Sequence, residues 1–470
     1  GEEEEERGAH PVRALHLDRN HLRSLPLAHS GHYCVQVKTY NAKGHQSRSF
    51  NLQTLPVGLA ALASLTILSV RHNLLTEVPP ALGCLTCLTR LDLDANLICA
   101  WPSDPAFPIT ALSSTLTLLS LSENRLDTIP PQIKHLTLLQ HLALDANLLS
   151  QVPAWLPAAL PSLNTLTLSR NALLANSLPA STLLFLTSIT DLRVSENPSL
   201  TILPFELFRL TTLTRLRAAA CGLSEIPREI ARLKRLAELT LSDNRIEELP
   251  SILSVMPMLT HMAIHANPGL SHTLPEGSIE GPLSNVKGYL KRIHQARDSL
   301  DLSSLGLRKL PPSALSDLPL RLSELILAYN KLSDLPSTIT LLSALVVLDI
   351  RQNLFTKLPE SLLSLPRLTT LELEANPLDG MPPEVLAAGC SAVLQLLSRQ
   401  RSSRLHHNLD LSKLALQTIP PDVLNMGALQ ELSLSDNLLT TLPPSLPYTL
   451  SALTRLSLAA NRLTSPLPPS

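Results

Sequence analysis

The sequence predicts an α/β solenoid, in which short parallel strands stack into one curved sheet on the concave side and helical or irregular segments form the convex side. Three observations predict it. A leucine-rich unit recurs along the chain of 470 residues, most steps between units are 23 or 24 residues, and a proline follows the strand of many units. A unit of that length cannot bury its own leucines, so neighbouring units must stack.

Each unit follows the pattern Leu-x-x-Leu-x-Leu-x-x-Asn, as in Leu139, Leu142, Leu144 and Asn147. Leucines two residues apart on a strand face the same side and form the core, while the residue between them faces the concave side. The Asn follows the strand and can satisfy backbone groups that no strand pairing reaches. These ladder positions are Asn20, Asn73, Asn96, Asn124, Asn147, Asn171, Asn197, Cys221, Asn244, Asn267, Leu305, Asn330, Asn353, Asn376, Leu414, Asn437 and Asn461.

Prolines occur downstream of the ladder positions, as in Asn124 to Pro130 (NRLDTIP) and Asn244 to Pro250 (NRIEELP). Proline fixes φ and has no N–H, so it ends strand pairing and begins the convex segment. The proline content therefore indicates repeat structure and not a disordered linker.

Composition excludes several classes of function. The net charge of −1 and the aromatic content of 3% argue against a nucleic-acid-binding protein. No apolar run approaches the roughly 20 residues that span a bilayer. Six scattered cysteines and the absence of an N-x-[ST] acceptor favour a reducing compartment, so we expect a cytoplasmic protein.

The pattern has three interruptions within a predicted solenoid of residues 11–470, which follows an acidic tail of residues 1–10. Residues 28–50 lack the leucines, and either a surface insertion or an error in the gene model explains them. Residues 268–299 and 377–408 each contain an amphipathic stretch before the repeats restart, and at both restarts a leucine replaces the ladder Asn. We expect a helix in each junction and an interrupted Asn ladder.

Both junction helices carry basic residues. The apolar positions are Val286, Tyr289, Leu290 and Ile293 in the first helix and Val393, Leu394 and Leu397 in the second. The accompanying cations include Lys287, Lys291, Arg292, Arg399, Arg401 and Arg404. These cations either contact an acidic partner or anionic lipid, or form ordinary solvated helix faces.

The Leu-Pro units resemble the intracellular, Ras-group class of the leucine-rich-repeat family. The segment 388–397 (AGCSAVLQLL) is similar to a helix that separates repeat blocks in a member of that family. The resemblance implies a leucine-rich-repeat solenoid that acts as a cytoplasmic scaffold. It also implies a protein partner, such as a small GTPase or another signalling protein, and no catalytic residue or cofactor.

Motifs for catalysis or metal binding are missing or weak. The chain has no G-x-x-x-x-G-K-[ST], H-E-x-x-H or G-x-S-x-G motif. Cys84 and Cys87 have metal-like spacing but no second pair, and no carboxylate clearly converges on His261 and His265. The sequence therefore predicts a chain that is not an enzyme and holds neither metal nor cofactor.

The predicted partner-binding residues lie on the concave face in two groups of opposite charge. The basic group is Arg170, Arg193, Arg215 and Arg217, and the acidic group is Asp301, Asp349, Glu372 and Asp410. Asp92, Asp94 and Asp145 form a smaller acidic area nearer the start. The arginines either anchor a partner or are neutralised by Asp191, Glu196 and Glu238.

We therefore interpret the chain as a non-catalytic scaffold that docks a protein partner on its concave face. The alternative is the recognition part of a larger enzyme or signalling receptor whose catalytic or membrane domain lies outside this fragment. An extracellular receptor ectodomain is disfavoured, because glycosylation sequons and disulfide-bonded caps are missing.

Overall fold

The computed structural model describes residues 14–16 (backbone only), 62–101, 112–316 and 318–464. The predicted acidic tail of residues 1–10 and the predicted insert of residues 28–50 lie outside the described residues. The chain divides into two compact units, the first comprising residues 1–246 and 256–267 and the second comprising residues 247–255 and 268–470.

Three-residue parallel strands build both units. The first unit contains one ten-stranded sheet in chain order: β1 (Ala14–His16), β2 (Ile67–Ser69), β3 (Arg90–Asp92), β4 (Leu118–Ser120), β5 (His141–Ala143), β6 (Thr165–Thr167), β7 (Asp191–Arg193), β8 (Arg215–Arg217), β9 (Glu238–Thr240) and β10 (His261–Ala263). The second unit contains a four-stranded sheet of β11 (Ser299–Asp301), β12 (Glu324–Ile326), β13 (Val347–Asp349) and β14 (Thr370–Glu372), and a three-stranded sheet of β15 (Asn408–Asp410), β16 (Glu431–Ser433) and β17 (Arg455–Ser457). A strand precedes every predicted ladder position, so the predicted repeats are confirmed.

Short helical turns form the other side of the repeats. The 3-10 helices span Pro80–Cys84, Pro131–His135, Phe205–Arg209, Arg228–Arg232, Ser251–Val255, Ser337–Leu341 and Glu360–Ser364. The short α-helices span Leu156–Ala159, Ala180–Leu183, Leu270–Thr273, Pro312–Ser316, Pro383–Ala387, Pro421–Leu424 and Leu446–Thr449. Pro130 precedes one such turn with φ −58° and ψ 127°, and Pro359 precedes another with φ −70° and ψ 139°. The prolines thus begin the convex segments as predicted.

The repeat around β5 shows how the core and the ladder are built. Leu139, Leu142 and Leu144 are fully buried. The amide of Asn147 donates to the carbonyl of Leu121 in the preceding repeat at 2.9 Å, and its Oδ1 accepts from the N–H of Leu126 at 3.0 Å. The ladder Asn therefore joins two repeats through backbone groups that the strands leave unpaired.

The residue before the ladder position is left-handed in nearly every repeat. Ala95, Ala146 and Ala266 all have φ of 52°, and Glu123 and Arg170 have φ of 55° and 57°. None of these positions is glycine, although left-handed backbone costs an L-residue roughly 1 kcal/mol or more. The hydrogen bonds of the adjacent Asn hold the turn in this conformation.

The two junctions contain the predicted long helices. The first junction helix spans Leu283–Gln295, and the second junction helix spans Cys390–His406. All four apolar residues predicted for the first helix are buried. In the second helix Val393 and Leu397 are buried, but Leu394 is half-buried, and Leu396 is the fully buried side chain that the pattern did not predict.

The parallel strands form three sheets. The hydrogen-bonded order stops after β10 and again after β14, at the two steps that hold the long helices. Leu305 and Leu414, which replace the ladder Asn, follow the first strand of a new sheet. Their side chains cannot donate to a preceding repeat, so the predicted interruption of the Asn ladder is confirmed.

Candidate functional site

The strand register determines which side chains share the concave face. Leu192 pairs with Leu216 in the middle of β7 and β8, while Asp191 pairs with Arg215 and Arg193 pairs with Arg217. Side chains alternate along a strand, so the first and third residues face away from the leucine core. The structure therefore brings three of the four predicted arginines together with Asp191.

Each of these three arginines has a carboxylate partner. Arg193 Nη2 lies 2.8 Å from Oδ2 of Asp191, and Arg215 Nε lies 3.0 Å from the same oxygen. Arg217 Nε donates to Oε1 of Glu238 on β9 at 2.8 Å. Asp191 is completely buried beneath its two arginines, so this group is a network of ion pairs and not a free basic patch.

Arg170 lies at a different kind of position. It occupies the left-handed turn before Asn171, and its Nε donates to Oε2 of Glu196 at 2.9 Å. Both side chains are exposed, so solvent screens the pair. All four predicted arginines are thus paired within the chain, and their role as partner anchors stays a prediction.

The ion pairs shift the pKa values of the carboxyl groups involved. Burial disfavours ionised Asp191, but the hydrogen bonds and charges of Arg193 and Arg215 outweigh it and lower the pKa of Asp191 below its ordinary value. The hydrogen bond from Arg217 lowers the pKa of Glu238. Both carboxylates are therefore ionised at neutral pH.

The predicted acidic group lies in the second unit but is divided between two sheets. Asp301, Asp349 and Glu372 occupy the third position of β11, β13 and β14, with Ile326 of β12 between Asp301 and Asp349. Asp410 has the same position in β15, which belongs to the three-stranded sheet. Three of the four residues therefore share one face.

Arg351 modifies this acidic face and was not among the predicted site residues. Its Nη2 lies 2.8 Å from Oδ2 of Asp349, which is nearly buried. It stands two residues after Asp349, a spacing from which the pair could have been inferred. Glu324 and Glu374 also flank the predicted residues, Glu324 at the first position of β12 and Glu374 two residues after β14.

Asp301 and Asp410 share a local arrangement. Oδ1 of Asp301 accepts from the N–H of Ser303 at 2.8 Å, and Oδ1 of Asp410 accepts from the N–H of Ser412 at 2.9 Å. Hydrogen bonds with Ser303 lower the pKa of Asp301. Burial opposes ionisation of Asp410, but its bonds with Ser412 still lower the pKa.

The smaller acidic area predicted near the start is a set of structural hydrogen bonds. Asp94 accepts from the Ser120 hydroxyl at 2.5 Å, and Arg71 Nη2 lies 3.5 Å from its Oδ2. Asp145 repeats the arrangement, accepting from the Thr167 hydroxyl and the Ser169 N–H, both at 2.7 Å. These aspartates tie one repeat to the next.

The cations of the second junction helix also have partners within the chain. Arg404 Nη1 lies 2.5 Å from Oε1 of Glu360, and Arg401 Nε lies 4.0 Å from Oε2 of the same residue. Arg399 donates to backbone carbonyls. Contacts within the chain therefore engage the three cations of this helix that were predicted either to contact an acidic partner or anionic lipid or to form a solvated helix face.

Residues 62–101, 112–316 and 318–464 contain no group of three or more His, Cys, Asp or Glu side chains that could hold a metal ion. His265 Nδ1 lies 3.0 Å from the hydroxyl of Ser242, and His261 Nδ1 lies 2.9 Å from that of Thr260. In the same described part of the chain, no helix combines the length and apolar character needed to cross a bilayer.

Comparison with known families decides the class of repeat. A leucine-rich-repeat family model matches residues 320–378 and 407–463, and a second one matches residues 115–136. The chain contains leucine-rich repeats and has their solenoid fold. The leucine-rich-repeat fold predicted from the sequence is confirmed.

Curated relatives of this leucine-rich-repeat chain are similar over part of their length. Podocan-like protein 1 of Mus musculus is 32% identical over 351 residues, which cover 73% of this chain and 57% of that protein. Protein flightless-1 homolog of Caenorhabditis elegans is 30% identical over 171 residues, or 36% of this chain and 13% of that protein. The chain thus spans less than two thirds of each.

Solved leucine-rich-repeat structures are also similar. One from Leptospira interrogans is 26% identical with a TM-score of 0.41, over 70% of this chain and 77% of that one. The Arabidopsis receptor kinase HAESA, in a complex with the peptide hormone IDA and the co-receptor SERK1, is 23% identical with a TM-score of 0.40, over 88% and 77%.

Proposed function

We propose that the chain binds a protein partner on the concave face of β11–β14, and that the partner presents a basic surface there. One observation carries the proposal. This face holds five carboxylates and one arginine, and among the described residues the pair of Asp349 and Arg351 is the one ion pair formed on it. The five carboxylates are Asp301, Glu324, Asp349, Glu372 and Glu374.

The excess negative charge favours a basic partner for a physical reason. Carboxylates side by side on a sheet repel one another, and a lysine-rich or arginine-rich surface relieves that repulsion on docking. The arginines of the first unit have less charge available for a partner, because Asp191, Glu196 and Glu238 already neutralise most of it. The acidic face is therefore the better candidate of the two predicted surfaces.

The finer features of the proposal rest on resemblance and composition. A small GTPase or another signalling protein is the partner class that the Ras-group pattern supports. The two junctions support a specific likeness to leucine-rich repeat-containing protein 40. Scattered cysteines and missing sequons support a cytoplasmic location.

A charge-neutralising variant tests the docking face. We expect Glu324→Gln, Glu372→Gln and Glu374→Gln together to weaken binding of a fluorescent nonalysine probe tenfold or more in anisotropy titrations at low salt, about 1.4 kcal/mol. The same variant should lose the partners that the full chain retains in affinity purification with mass spectrometry.

The matched control removes three exposed or half-exposed carboxylates from convex segments: Glu225→Gln, Glu229→Gln and Glu280→Gln. This control should bind the probe as the parent does. Equal losses in both variants would show that binding follows total charge, and the proposed face would be wrong.

A second candidate function is recognition within a larger enzyme or signalling receptor. The observation that favours it is the 13% share of the Caenorhabditis elegans relative that the matching region covers, since repeats of this kind can form one part of a longer protein. The concave face would dock a partner in the same way in either case. Immunoblotting of the endogenous protein distinguishes the two by its size.

A further inference from the structure

Backbone groups at the edge of a parallel sheet are a binding surface when nothing covers them. In the interior of the four-stranded sheet, the carbonyl just before a strand accepts two N–H groups from the next strand. Ser323 accepts from Val346 and Val347 at 2.8 and 2.9 Å, and Val346 in turn accepts from Thr369 and Thr370, both at 3.0 Å.

The residues that follow each strand donate in a matching way. The N–H of Ile350 donates to the carbonyl of Glu372 at 3.0 Å, and the N–H of Gln352 donates to that of Glu374 at 2.8 Å. Each repeat thus presents one carbonyl that accepts two hydrogen bonds, and two N–H groups that donate, to the strand that follows it. The last strand of the sheet, β14, has no following strand.

At β14 these groups have no backbone partner in the described part of the chain. They are the carbonyl of Thr369 and the N–H groups of Leu373 and Ala375. The thiol of Cys390 donates to the neighbouring carbonyl of Leu368 at 3.8 Å. It does not donate to the carbonyl of Thr369, which is therefore available to a donor from another chain.

The opposite edge at the same junction is closed. Strand β15 begins the next sheet, and the carbonyls that a preceding strand would use belong to Asp410 and Ser412. Arg399 of the second junction helix donates from one nitrogen, Nη1, to both of them, at 3.2 and 2.9 Å. A side chain therefore replaces the missing strand at β15, and among the residues that the structure describes no equivalent side chain does so at β14.

A groove lies beside Leu368 and Thr369, the two residues that precede β14. Its volume is about 490 Å³, and the second junction helix forms its other wall. The lining residues are Leu368, Thr369, Ser391, Leu394, Gln395 and Ser398. The lining combines two leucines with hydroxyl and amide groups. An extended peptide, whose successive side chains point to opposite sides, could place apolar and polar side chains against these groups in turn.

We propose that this groove binds an extended peptide segment of a partner protein, which pairs with β14 as an added parallel strand. Two successive N–H groups of the segment donate to Thr369, and its carbonyls accept from Leu373 and Ala375. Main-chain bonds provide affinity, and apolar side chains at alternate positions pack against Leu368 and Leu394. The added strand uses backbone groups at the edge of β14, whereas the acidic face consists of side chains, so either proposal can fail alone.

A peptide with the sequence of residues 346–352 (VVLDIRQ) is the probe, because this segment already makes the required bonds. In the sheet Val346 and Val347 donate to Ser323, and the carbonyls of Asp349 and Arg351 accept from Leu327 and Tyr329 at 2.7 and 3.0 Å. The control peptide carries N-methyl groups at Val346 and Val347, which remove the two donors and leave the side chains unchanged.

We expect the full chain to bind the labelled probe and the N-methylated peptide to bind at least tenfold more weakly. Ser391→Trp, which fills the groove from an exposed helix position, should weaken probe binding to the same degree. Ser402→Trp, an exposed position on the same helix outside the groove, should leave it unchanged. Thermal melts of both variants verify the fold.

Amide exchange supplies a readout at the edge itself. Binding of the probe should slow exchange at Leu373 and Ala375, which the open edge leaves unprotected. Equal binding of the N-methylated peptide, undiminished binding to Ser391→Trp, or no binding of the probe to the parent chain would each overturn the proposal.

Discussion

The buried carboxylate of Asp191 lies 3.0 Å from Nε of Arg215 on the neighbouring strand and also holds Arg193 of its own strand. Part of the predicted basic patch is therefore a network of ion pairs that stabilises the fold. Its consequences can be measured without knowing any partner.

Asp191→Asn should lower the free energy of unfolding by about 2 kcal/mol, because charge-assisted hydrogen bonds to two arginines are lost from a buried position. Urea denaturation followed by circular dichroism measures it. Glu196→Gln, which removes the exposed partner of Arg170, is the control and should cost less than about 0.5 kcal/mol. Equal costs would mean that burial of Asp191 adds nothing.

The effect of Asp191 should also depend on pH. Its pKa is lower in the folded chain than the ordinary 3.8, so the folded state releases the proton more readily. The stabilisation is complete above the ordinary pKa and disappears as the pH falls through the folded pKa. The difference between the parent and Asp191→Asn should therefore shrink below about pH 4. A difference that stays constant down to pH 2 would contradict this assignment.

Asp145 should behave in the opposite way. Burial raises its pKa above 3.8, despite hydrogen bonds from Thr167 and Ser169. Ionised Asp145 therefore costs stability at neutral pH, and that cost disappears as the pH falls through the folded pKa towards 3.8. Asp145→Asn, which keeps an oxygen acceptor, should be at least as stable as the parent at pH 7 in urea denaturation. A loss as large as that of Asp191→Asn would refute this interpretation.

Substitution of a ladder Asn should lower the free energy of unfolding more than substitution of most other polar residues. Asn147→Ala leaves the Leu121 carbonyl and the Leu126 N–H without their side-chain partner inside the core. We expect a loss of about 2 to 3 kcal/mol in the free energy of unfolding. Asn164→Ala, whose side chain bonds the hydroxyl of Thr165, should cost less than about 0.5 kcal/mol. Similar losses at both sites would remove the special role of the ladder.

The left-handed turn predicts a contrast between two alanines of one repeat. Ala146 has a φ of 52°, whereas Ala143 lies on strand β5. Glycine relieves left-handed strain but costs backbone entropy, so Ala146→Gly should be about 1 kcal/mol more stable than Ala143→Gly. Thermal denaturation of both variants compares them. If Ala146→Gly were the less stable, the turn would not be strained.

Arg399 should protect the first strand of the three-stranded sheet. Arg399→Ala removes the donors to Asp410 and Ser412, so we expect faster amide exchange in residues 408–412 and a loss of about 1 to 2 kcal/mol. Arg401→Ala on the same helix, which loses an exposed contact with Glu360, is the control. Unchanged exchange in Arg399→Ala would show that solvent replaces the guanidinium.

Local sequence determined much of this protein. The leucine spacing placed a strand before each ladder position, the prolines marked where convex segments begin, and the amphipathic stretches predicted both junction helices. These features follow from the period of side chains along the chain and from the missing N–H of proline, which are properties of neighbouring residues.

Tertiary structure decided which charges are available and where the sheet ends. Arg193 and Arg217 are predicted at concave positions from spacing alone, but their neutralisation depends on Asp191 and Glu238, and the partners of Arg215 and Arg217 lie on adjacent strands. Arg399 was assigned to a basic helix face, and only the packing of that helix against β15 brings its Nη1 to the carbonyls of Asp410 and Ser412. Contacts between repeats depend on the strand register and on where one sheet ends and the next begins. The spacing of residues within a repeat specifies neither.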